Sequence, residues 1–391
     1  MTEGTLESLL GAVEQIAPIL REHGARSEKQ CRLAQEIVEA MVGGGLYRVW
    51  TPKAYGGLEA DPVTGLKMFE AVAKVDSAAG WNLMLSAGGA TFGPLFPNGV
   101  DEWFDKPKGI FGGALNPPGK AIPVDGGYRV TSRTPFVSGC HDAEWIAGPA
   151  LIVDGDDFRR TESGMPVQIA LFYPPQDAEI IDHWDTLGMR GTGSHDVALN
   201  DVFVPEHRTG PLAPWKTPPK GMEGPLYRYT IWPAVAALAP VAFGVAAAAI
   251  DELVEFAVNK TPAYTPSPLR ERPVAQSQIA EAEAKLGSAR AYLYQAFDEF
   301  WDEAKQGQML PQKQKTKVHL AATHGIQAAA EAVDLVHKAA GTSGIRREKS
   351  IERHFRDVHV ITQHAFTSAS RYQSVGRSMF GLPSDWPFAP F

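Results

Sequence analysis

Residues 109–140 read GIFGGALNPPGKAIPVDGGYRVTSRTPFVSGC and interrupt a chain whose other parts are patterned for helices. This stretch is rich in glycine, proline and β-branched residues, and VDGGYRVTS places a turn signal ahead of alternating residues, as in a β-hairpin. Three more short apolar segments, separated by turn residues, follow it: EWIAGPALIV, VQIALFYP and DVALNDVFVP. We therefore predict an all-β unit from about residue 110 to about residue 205.

The segments on either side have helical periodicity. Before the β unit, residues 6–20 carry one apolar stripe, and QCRLAQEIVEAMVGGG and VTGLKMFEAVAKVD are each predicted to form a helix. After it, PVAQSQIAEAEAKLGSARAYLYQAFDEFWDEAKQG and KQKTKVHLAATHGIQAAAEAVDLVHKAAG are long amphipathic patterns, and Gly341 ends the second. A Pro-rich linker, PEHRTGPLAPWKTPPKGMEGP, separates strands from helices. This order predicts an α+β fold with a central β domain.

Composition and charge argue against several classes of partner. The 391 residues carry a formal net charge of -8, whereas nucleic acids and anionic membranes attract basic surfaces, so neither is expected to bind. Two cysteines, Cys31 and Cys140, are too few for a disulfide framework or a Cys-based zinc site, which favours the cytoplasm. The acidic start MTEGTLESLL lacks the basic region of a signal peptide.

Residues 230–250, TIWPAVAALAPVAFGVAAAAI, contain no charged residue and are long enough to span a bilayer. The segment is rich in alanine, includes two prolines, and has no flanking cluster of Lys or Arg. We therefore predict a helix that is buried on all sides, in a bundle or between subunits.

Several well-known sites have no motif in this sequence. No Gly-x-Gly-x-x-Gly follows a predicted strand, and there is no P-loop, Gly-x-Ser-x-Gly or His-Glu-x-x-His. His354, His359 and His364 are spaced too evenly to share one helical face with a carboxylate, so no metal site is predicted.

Four segments resemble the acyl-CoA dehydrogenase superfamily: AKVDSAAGWNLMLS, WDTLGMRGTGSHDVALNDVFVPEHR, RERPVAQSQIAEAEAKL and IERHFRDVHVITQHA. The resemblance covers nearly the whole chain. It implies an acyl-CoA dehydrogenase-like fold with an N-terminal α-helical domain (1–109), a central β-barrel or sandwich domain (110–220) and a C-terminal four-helix bundle (221–391). It also implies a flavin between the domains and a homotetramer.

The catalytic carboxylate of that family is missing here. Many acyl-CoA dehydrogenases have a Glu shortly after the Arg-Asp pair, and counting from Asp357 places Ala365 at that position, beside His364. Other members carry the base on an earlier helix, but the matching PLYRYTIWPAVAAL has no carboxylate. Without such a base, desaturation of an acyl-CoA lacks its proton acceptor.

LGMRGTGSHD, PLYR and the Arg-Asp segment are similar instead to the flavin-dependent monooxygenase branch, the oxygenase components of two-component hydroxylases. That branch implies reduced flavin, either FADH2 or FMN in its reduced form, which reacts with O2 to give a C4a-hydroperoxide. It implies hydroxylation of a small aromatic substrate, phenolic or indolic, and a separate flavin reductase. Two alternatives stay open: a dehydrogenase or flavin oxidase with a displaced base, and a catalytically silent binding or assembly subunit.

The resemblance also assigns three catalytic candidates. His364 is expected to act as base toward the substrate, since imidazole titrates near neutral pH. Ser138 in TPFVSGC is expected to lie against flavin N5 and O4, with Phe136 packed on the ring and Val137 between them. Arg228 is expected to reach the flavin or substrate. The competing interpretations are a structural histidine, a turn serine and an arginine in a surface ion pair.

The remaining candidates concern binding. Asn116 in GALNPP is expected at the pyrimidine edge of the flavin, unless the loop is a plain turn. Gly341 and Ser343 in AAGTSG offer a small residue and a hydroxyl to a phosphate. Trp81 and Ser86 are expected to contact the substrate. Residues 190–194 are expected to form a glycine-hinged loop at the rim of the site.

Overall fold

The computed structural model describes residues 4–212, 219–229, 231–307 and 310–388. Five helices come first, in the order α1 (Leu6–Gln30), α2 (Gln35–Gly43), α3 (Pro62–Val75), α4 (Ser77–Ala90) and α5 (Val100–Trp103). Nine strands follow: β1 (Phe111–Gly113), β2 (Gly119–Val124), β3 (Gly127–Val137), β4 (Trp145–Asp154), β5 (Asp157–Phe158), β6 (Gln168–Tyr173), β7 (Glu179–Ile181), β8 (His195–Pro205) and β9 (Thr209–Pro211). The described chain continues with α6 (Ile231–Asn259), α7 (Pro273–Lys305), α8 (Gln312–Ala340), α9 (Ser350–Ile361) and α10 (Arg371–Met379). The predicted α+β order is confirmed.

The strands form one mixed sheet whose main path runs β7-β8-β3-β2-β4-β6-β9. The predicted hairpin is confirmed, because β2 and β3 pair antiparallel with Val124 opposite Gly127. Strands β1 and β2 both pair parallel with β4, while β5 pairs antiparallel with it. The long antiparallel pair β3·β8 matters most for function, since it carries the two chain segments that enter the candidate site.

The predicted second helix is wrong at its start. We expected QCRLAQEIVEAMVGGG to be helical throughout, but α1 continues to Gln30 and α2 begins only at Gln35. Cys31 ends α1 in the left-handed conformation, with φ of 53°, and its N–H bonds back to the carbonyls of the last helical turn. The spacing of apolar residues does not show where a residue adopts the left-handed conformation and ends a helix.

Helix α6 forms the centre of the C-terminal bundle. It packs against α3, α7 and α8. Its most apolar 18-residue stretch, with a mean hydropathy of 2.0, is apolar enough to cross a membrane, but 89% of that stretch is buried inside the chain. The prediction of a helix buried in a bundle is therefore confirmed, although Thr230 lies outside the described residues and the helix extends to Asn259.

The predicted linker 205–225 is partly structured. Its first part includes β9, which pairs with β6, while residues 213–218 lie outside the described residues. The proposed domain boundaries, after residues 109 and 220, fall between α5 and β1 and between β9 and α6, and they stay predictions.

A buried ion network joins α9 to the N-terminal helices. Arg353 on α9 lies 2.9 Å from Asp76, which precedes α4, and 3.4 Å from Asp357 on its own helix. Both carboxylates are almost fully buried. Burial opposes the charge of Arg353, but the two carboxylates outweigh it and raise its pKa above the ordinary value. The Arg-Asp segment is therefore a structural clamp between regions distant in sequence.

Candidate active site

Trp81, Ser138 and His364 meet where three regions of the chain converge. Trp81 lies on α4, Ser138 follows β3, and His364 follows α9. The Trp81 Nε1–H donates to Ser138 Oγ at 3.2 Å, and the indole lies edge-on to the His364 imidazole with 5.6 Å between ring centroids. The indole thus connects the serine to the histidine, and we call these three residues the central cluster.

A β-bulge delivers Ser138 to this cluster. Thr134 pairs with Val197 and Val137 with His195, so two residues of β3 stand opposite one of β8. Phe136, within the bulge, has φ of 63°, which is uncommon for a bulky residue, and its side chain is 64% exposed. Bulges beside functional sites re-aim side chains. Here the bulge presents an aromatic ring next to Ser138.

The loop before β8 is fixed against α9. Asp357, which is 2% exposed, accepts the backbone N–H of Met189 at 2.6 Å and also the hydroxyl of Ser77. Gly188 is required by this approach, because a Cβ there would lie 2.4 Å from the backbone carbonyl of Arg356. The clamp therefore sets the position of Thr192 and the residues that follow it.

Three buried hydroxyls line up behind the cluster. Ser138 Oγ lies 2.7 Å from Ser194 Oγ, which lies 2.7 Å from Thr192 Oγ1. Thr192 Oγ1 in turn donates to the carbonyl of Met189 at 2.7 Å. The predicted rim loop thus reaches the site through Ser194 and Thr192, whereas Arg190 pairs with Asp185.

The tautomer of His364 follows from its hydrogen bond. Its Nδ1 lies 3.3 Å from the backbone nitrogen of Phe366, whose N–H can only donate. The neutral imidazole therefore carries its own proton on Nε2. Burial lowers the pKa of His364 to about 4, so the ring is neutral near pH 7.

Phe366 itself is held from two sides. Its carbonyl accepts the Nε2–H of buried His319 at 2.8 Å. Its ring lies 5.5 Å from Trp386 and 5.3 Å from Phe388, measured between centroids. Trp386 also contacts His319, with 4.5 Å between the rings. Residues near the end of the chain therefore support the backbone that orients His364.

The residues at the cluster suit a flavin. A flavin ring needs a flat apolar surface beside a polar edge, and the exposed ring of Phe136, with Trp184 edge-on at 6.0 Å, adjoins Ser138. Ser138 Oγ accepts one bond from Trp81 and keeps a second lone pair. Next to the same loop, Asn82 Oδ1 is buried and unpaired among the described residues. These residues fit the group that the sequence resemblance implies.

Among the described residues, three other predicted binding residues make no side-chain hydrogen bond to the central cluster. The Ser86 hydroxyl donates to the carbonyl of Gly109 and accepts the N–H of Phe111, so it joins α4 to β1. A substrate contact for it stays a prediction. Asn116 is exposed in the loop between β1 and β2, and Val137 is fully buried.

Arg228, Gly341 and Ser343 also lie outside the hydrogen-bonded cluster. The Arg228 guanidinium lies beside Gly307, after the end of α7, and none of its hydrogen bonds or ion pairs among the described residues joins the cluster. Gly341 follows α8 with φ of 58°, and a Cβ there would meet no atom within 4 Å. Ser343 is buried in the same turn. A phosphate contact for Gly341 and Ser343 stays a prediction.

His141, Asp182 and His195 come close enough together to suggest a metal site. However, His195 Nδ1 accepts the backbone N–H groups of His183 and Trp184, both at 3.1 Å. Its proton is therefore on Nε2, which faces the carbonyl of Cys31 at 3.1 Å. This histidine has no lone pair for a metal ion, so we interpret the group as a hydrogen-bonded contact beside β8, in which His141 Nε2 lies 2.7 Å from Asp182 Oδ1.

The sequence reasoning missed the supports of the site. His319 and Trp386 received no role, and Thr192 and Ser194 were expected only within the loop at the rim of the site. The hydroxyl pattern of RGTGS offered a signal for Thr192 and Ser194. No sequence signal pointed to His319 or Trp386, because their role depends on contacts across the bundle.

Comparisons with known proteins identify the family of the chain. The family model described as "Acyl-CoA dehydrogenase, N-terminal domain" matches residues 12–103, and the one described as "Acyl-CoA dehydrogenase, C-terminal domain" matches residues 236–369. An indole-3-acetate monooxygenase from Pseudomonas putida is 31% identical over 356 residues, which are 90% of this chain and 89% of that protein.

Two further similar proteins also match this chain over nearly their whole length. The oxygenase subunit HsaA of a flavin-dependent monooxygenase from Mycobacterium tuberculosis is 27% identical over 395 residues, covering 96% of each chain. The solved structure of XiaF from Streptomyces sp. in complex with FADH2 and glycerol superposes with a TM-score of 0.88 at 25% identity. The match covers 98% of this chain and 97% of that one.

Proposed function

The chain belongs to the acyl-CoA dehydrogenase family, in its branch of flavin-dependent monooxygenases, and we propose that it hydroxylates a small phenolic or indolic substrate. The observation that carries the proposal is the central cluster. It combines a serine hydroxyl, an indole and a neutral imidazole, and no carboxylate is hydrogen-bonded to any of them among the described residues.

Each residue has a distinct task in this proposal. Reduced flavin, as FAD or FMN, supplies electrons and activates O2 when it is bound. Phe136 packs on its ring, and Ser138 holds its polar edge through the free lone pair of Oγ. Trp81 closes the wall between flavin and substrate. A bound flavin would cover the exposed ring of Phe136, and exclusion of water there would keep it from diverting the oxygen.

His364 donates a hydrogen bond in this proposal. We first expected it to act as base, but Nδ1 is engaged by the Phe366 N–H and Nε2 carries the proton. A neutral Nε2–H that donates to the substrate oxygen would lower the pKa of a phenol, so that the phenol releases its proton to solvent more readily. The phenolate that results has a more nucleophilic ring than the neutral phenol. For an indolic substrate, the same N–H can orient an oxygen of a side chain.

Anaerobic titration with reduced FAD and reduced FMN tests the proposal first. We expect one of them to bind, and the bound complex, once mixed with O2 and a panel of phenols and indoles, to give products heavier by one oxygen atom. Acyl-CoA thioesters with an artificial electron acceptor serve as the control for dehydrogenase activity. Binding of neither reduced flavin, or desaturation of a thioester, would remove the monooxygenase assignment.

We further propose a separate flavin reductase as partner, a homotetrameric assembly and a cytoplasmic location. Support for the reductase is that HsaA is named an oxygenase subunit. Support for assembly comes from apolar side chains of α6 that are exposed in the single chain, Val254 and Val258 among them. Light scattering tests the tetramer, and a monomer at every concentration would contradict it.

The stability of the protein should depend on His364 in mildly acidic solution. The pKa of His364 is about 4 in the folded chain, against an ordinary 6.5. Between these values the unfolded chain binds a proton that the folded chain does not, so the free energy of unfolding falls as pH falls. His364→Gln should remove this part of the slope, since glutamine does not titrate.

Denaturant unfolding of both proteins at several pH values from about 7 to about 5 measures the difference. His354 also has a pKa of about 4, because of burial and the nearby Arg353 charge, and it contributes equally to both proteins. Identical slopes in the two proteins would mean that His364 is not buried as described.

A further inference from the structure

The direction of every hydrogen bond in the hydroxyl chain can be derived from the number of protons available. A hydroxyl has one proton to donate and a carbonyl has none. Thr192 Oγ1 donates its proton to the carbonyl of Met189. In the 2.7 Å contact between Thr192 and Ser194, Ser194 must therefore be the donor.

The same reasoning fixes the next bond. Ser194 has given its proton to Thr192, so in the 2.7 Å contact with Ser138 the donor must be Ser138. Trp81 Nε1–H, which can only donate, adds a bond to Ser138 Oγ. All hydrogen bonds of the hydroxyl chain are therefore donated in one direction: from Trp81 to Ser138, from Ser138 to Ser194, from Ser194 to Thr192, and from Thr192 to the backbone carbonyl of Met189.

Ser138 is consequently left with one free lone pair and no free proton. This distinguishes the two redox states of a flavin, because N5 carries a hydrogen in the reduced ring and only a lone pair in the oxidised ring. Reduced N5–H can donate to Ser138, whereas oxidised N5 would face another lone pair.

We propose that Thr192 and Ser194 are positioning residues that hold Ser138 as a hydrogen-bond acceptor and thereby make the site selective for reduced flavin. The inference rests on the proposed function, in which the flavin edge lies at Ser138. Thr192 and Ser194 act only through the hydroxyl of Ser138. All three side chains are buried, so bulk water does not compete for these bonds.

Thr192→Val tests the inference because it removes one hydroxyl and nearly preserves shape. Ser194 then loses its acceptor and can donate to Ser138, which frees the Ser138 proton for an oxidised N5. The carbonyl of Met189 still accepts Trp184 Nε1–H at 3.0 Å, so it does not become unpaired. The backbone carbonyl of Thr192, which accepts from Gly139 and Asn82, is unchanged.

The measurement is the ratio of two dissociation constants, for oxidised and for reduced flavin, with the reduced form titrated anaerobically. We expect the wild type to favour reduced flavin and Thr192→Val to lower the ratio by roughly 5- to 20-fold, the value of one hydrogen bond. Tenfold in this ratio equals about 30 mV in the two-electron potential of the bound flavin, which gives an independent readout. Thr192→Ser keeps the hydroxyl and should keep the ratio.

The outcomes separate the two proposals. If the wild type binds neither flavin, the proposed function and this inference both fall. If the wild type binds flavin but does not prefer the reduced form, only the inference is overturned. The same holds if the ratio of dissociation constants is equal in the wild type and in Thr192→Val. Equal weakening of both forms would indicate a purely structural threonine and also overturns it. Should Thr192→Val not fold, Ser194→Ala frees the same Ser138 proton and is judged by the same ratio.

Discussion

Replacement of His364 by alanine is expected to slow oxygen transfer by roughly 10²–10³-fold, the range for loss of one hydrogen-bond donor that stabilises a developing negative charge. Binding of reduced flavin should be unchanged, because the hydroxyl chain and Phe136 do not depend on the imidazole. His364 contacts Trp81 on one side and is fixed by the backbone of Phe366 on the other. Its loss would therefore remove the group that we propose donates to the substrate and would leave Ser138 and Phe136 in place.

His364→Gln distinguishes a hydrogen-bond donor from a base. The glutamine amide can place an N–H near the former Nε2 but cannot take up a proton near neutral pH. If His364 donates, the glutamine variant should hydroxylate faster than the alanine variant, and hydrogen peroxide should be released in place of the missing product. Equal loss in both variants would instead support the base role.

His359→Ala is the matched control for these variants. His359 lies on α9, only five positions before His364 in the numbering, but its ring is paired with Asp334 at 3.0 Å on the outer face of the bundle. The rate of hydroxylation should be unaffected by this change. A slower His359→Ala with an unaffected His364→Ala would place the active histidine elsewhere.

Replacement of Asp357 by alanine is expected to reduce the free energy of unfolding by about 3–5 kcal/mol, because it removes one of two carboxylates beside buried Arg353 and leaves two buried donors without an acceptor. Asp357 is 2% exposed and holds Arg353, the Ser77 hydroxyl and the N–H of Met189 at once. Asp76 still pairs with Arg353 in this variant. The expected loss of stability is therefore that of one carboxylate and not that of the whole ion network.

Denaturant titration with a matched exposed pair measures this effect. Arg346 and Glu348 form an ion pair whose side chains are each 66% exposed, so Glu348→Ala should cost no more than about 1 kcal/mol. A loss in Asp357→Ala as small as that of the control would contradict the clamp. Because the clamp also fixes the loop that carries Ser194, the variant should additionally bind flavin less tightly.

Much of the fold could be predicted from the sequence because its local signals agree with one another. The β unit has turn residues between short β-branched runs, and α7 and α8 have long, uninterrupted helical periods. The start of α2 could not be predicted in this way. Cys31 adopts a left-handed conformation that depends on the bonds its N–H makes to the end of α1.

The sequence named the three residues of the central cluster but not the residues that support them, and their roles toward flavin and substrate stay predictions. Trp81, Ser138 and His364 were each assigned by resemblance, and the structure brings them together. Ser86 lies on the same helix as Trp81, but its hydroxyl is hydrogen-bonded to the backbone of Gly109 and Phe111. These contacts depend on the fold and have no signal in the sequence. The direction of the hydroxyl chain likewise depends on which oxygen lies next to which, and residue types alone do not determine it.

We expect the cluster of Trp81, Ser138 and His364 to direct one atom of O2 into an aromatic substrate. A single-turnover reaction tests it most directly: protein loaded anaerobically with reduced flavin is mixed with ¹⁸O2 and an accepted phenol or indole, and the product is analysed by mass spectrometry. We expect one ¹⁸O atom in each product molecule, with hydrogen peroxide replacing that product in His364→Ala. Product without the label, or labelled product at the wild-type rate in His364→Ala, would contradict the account.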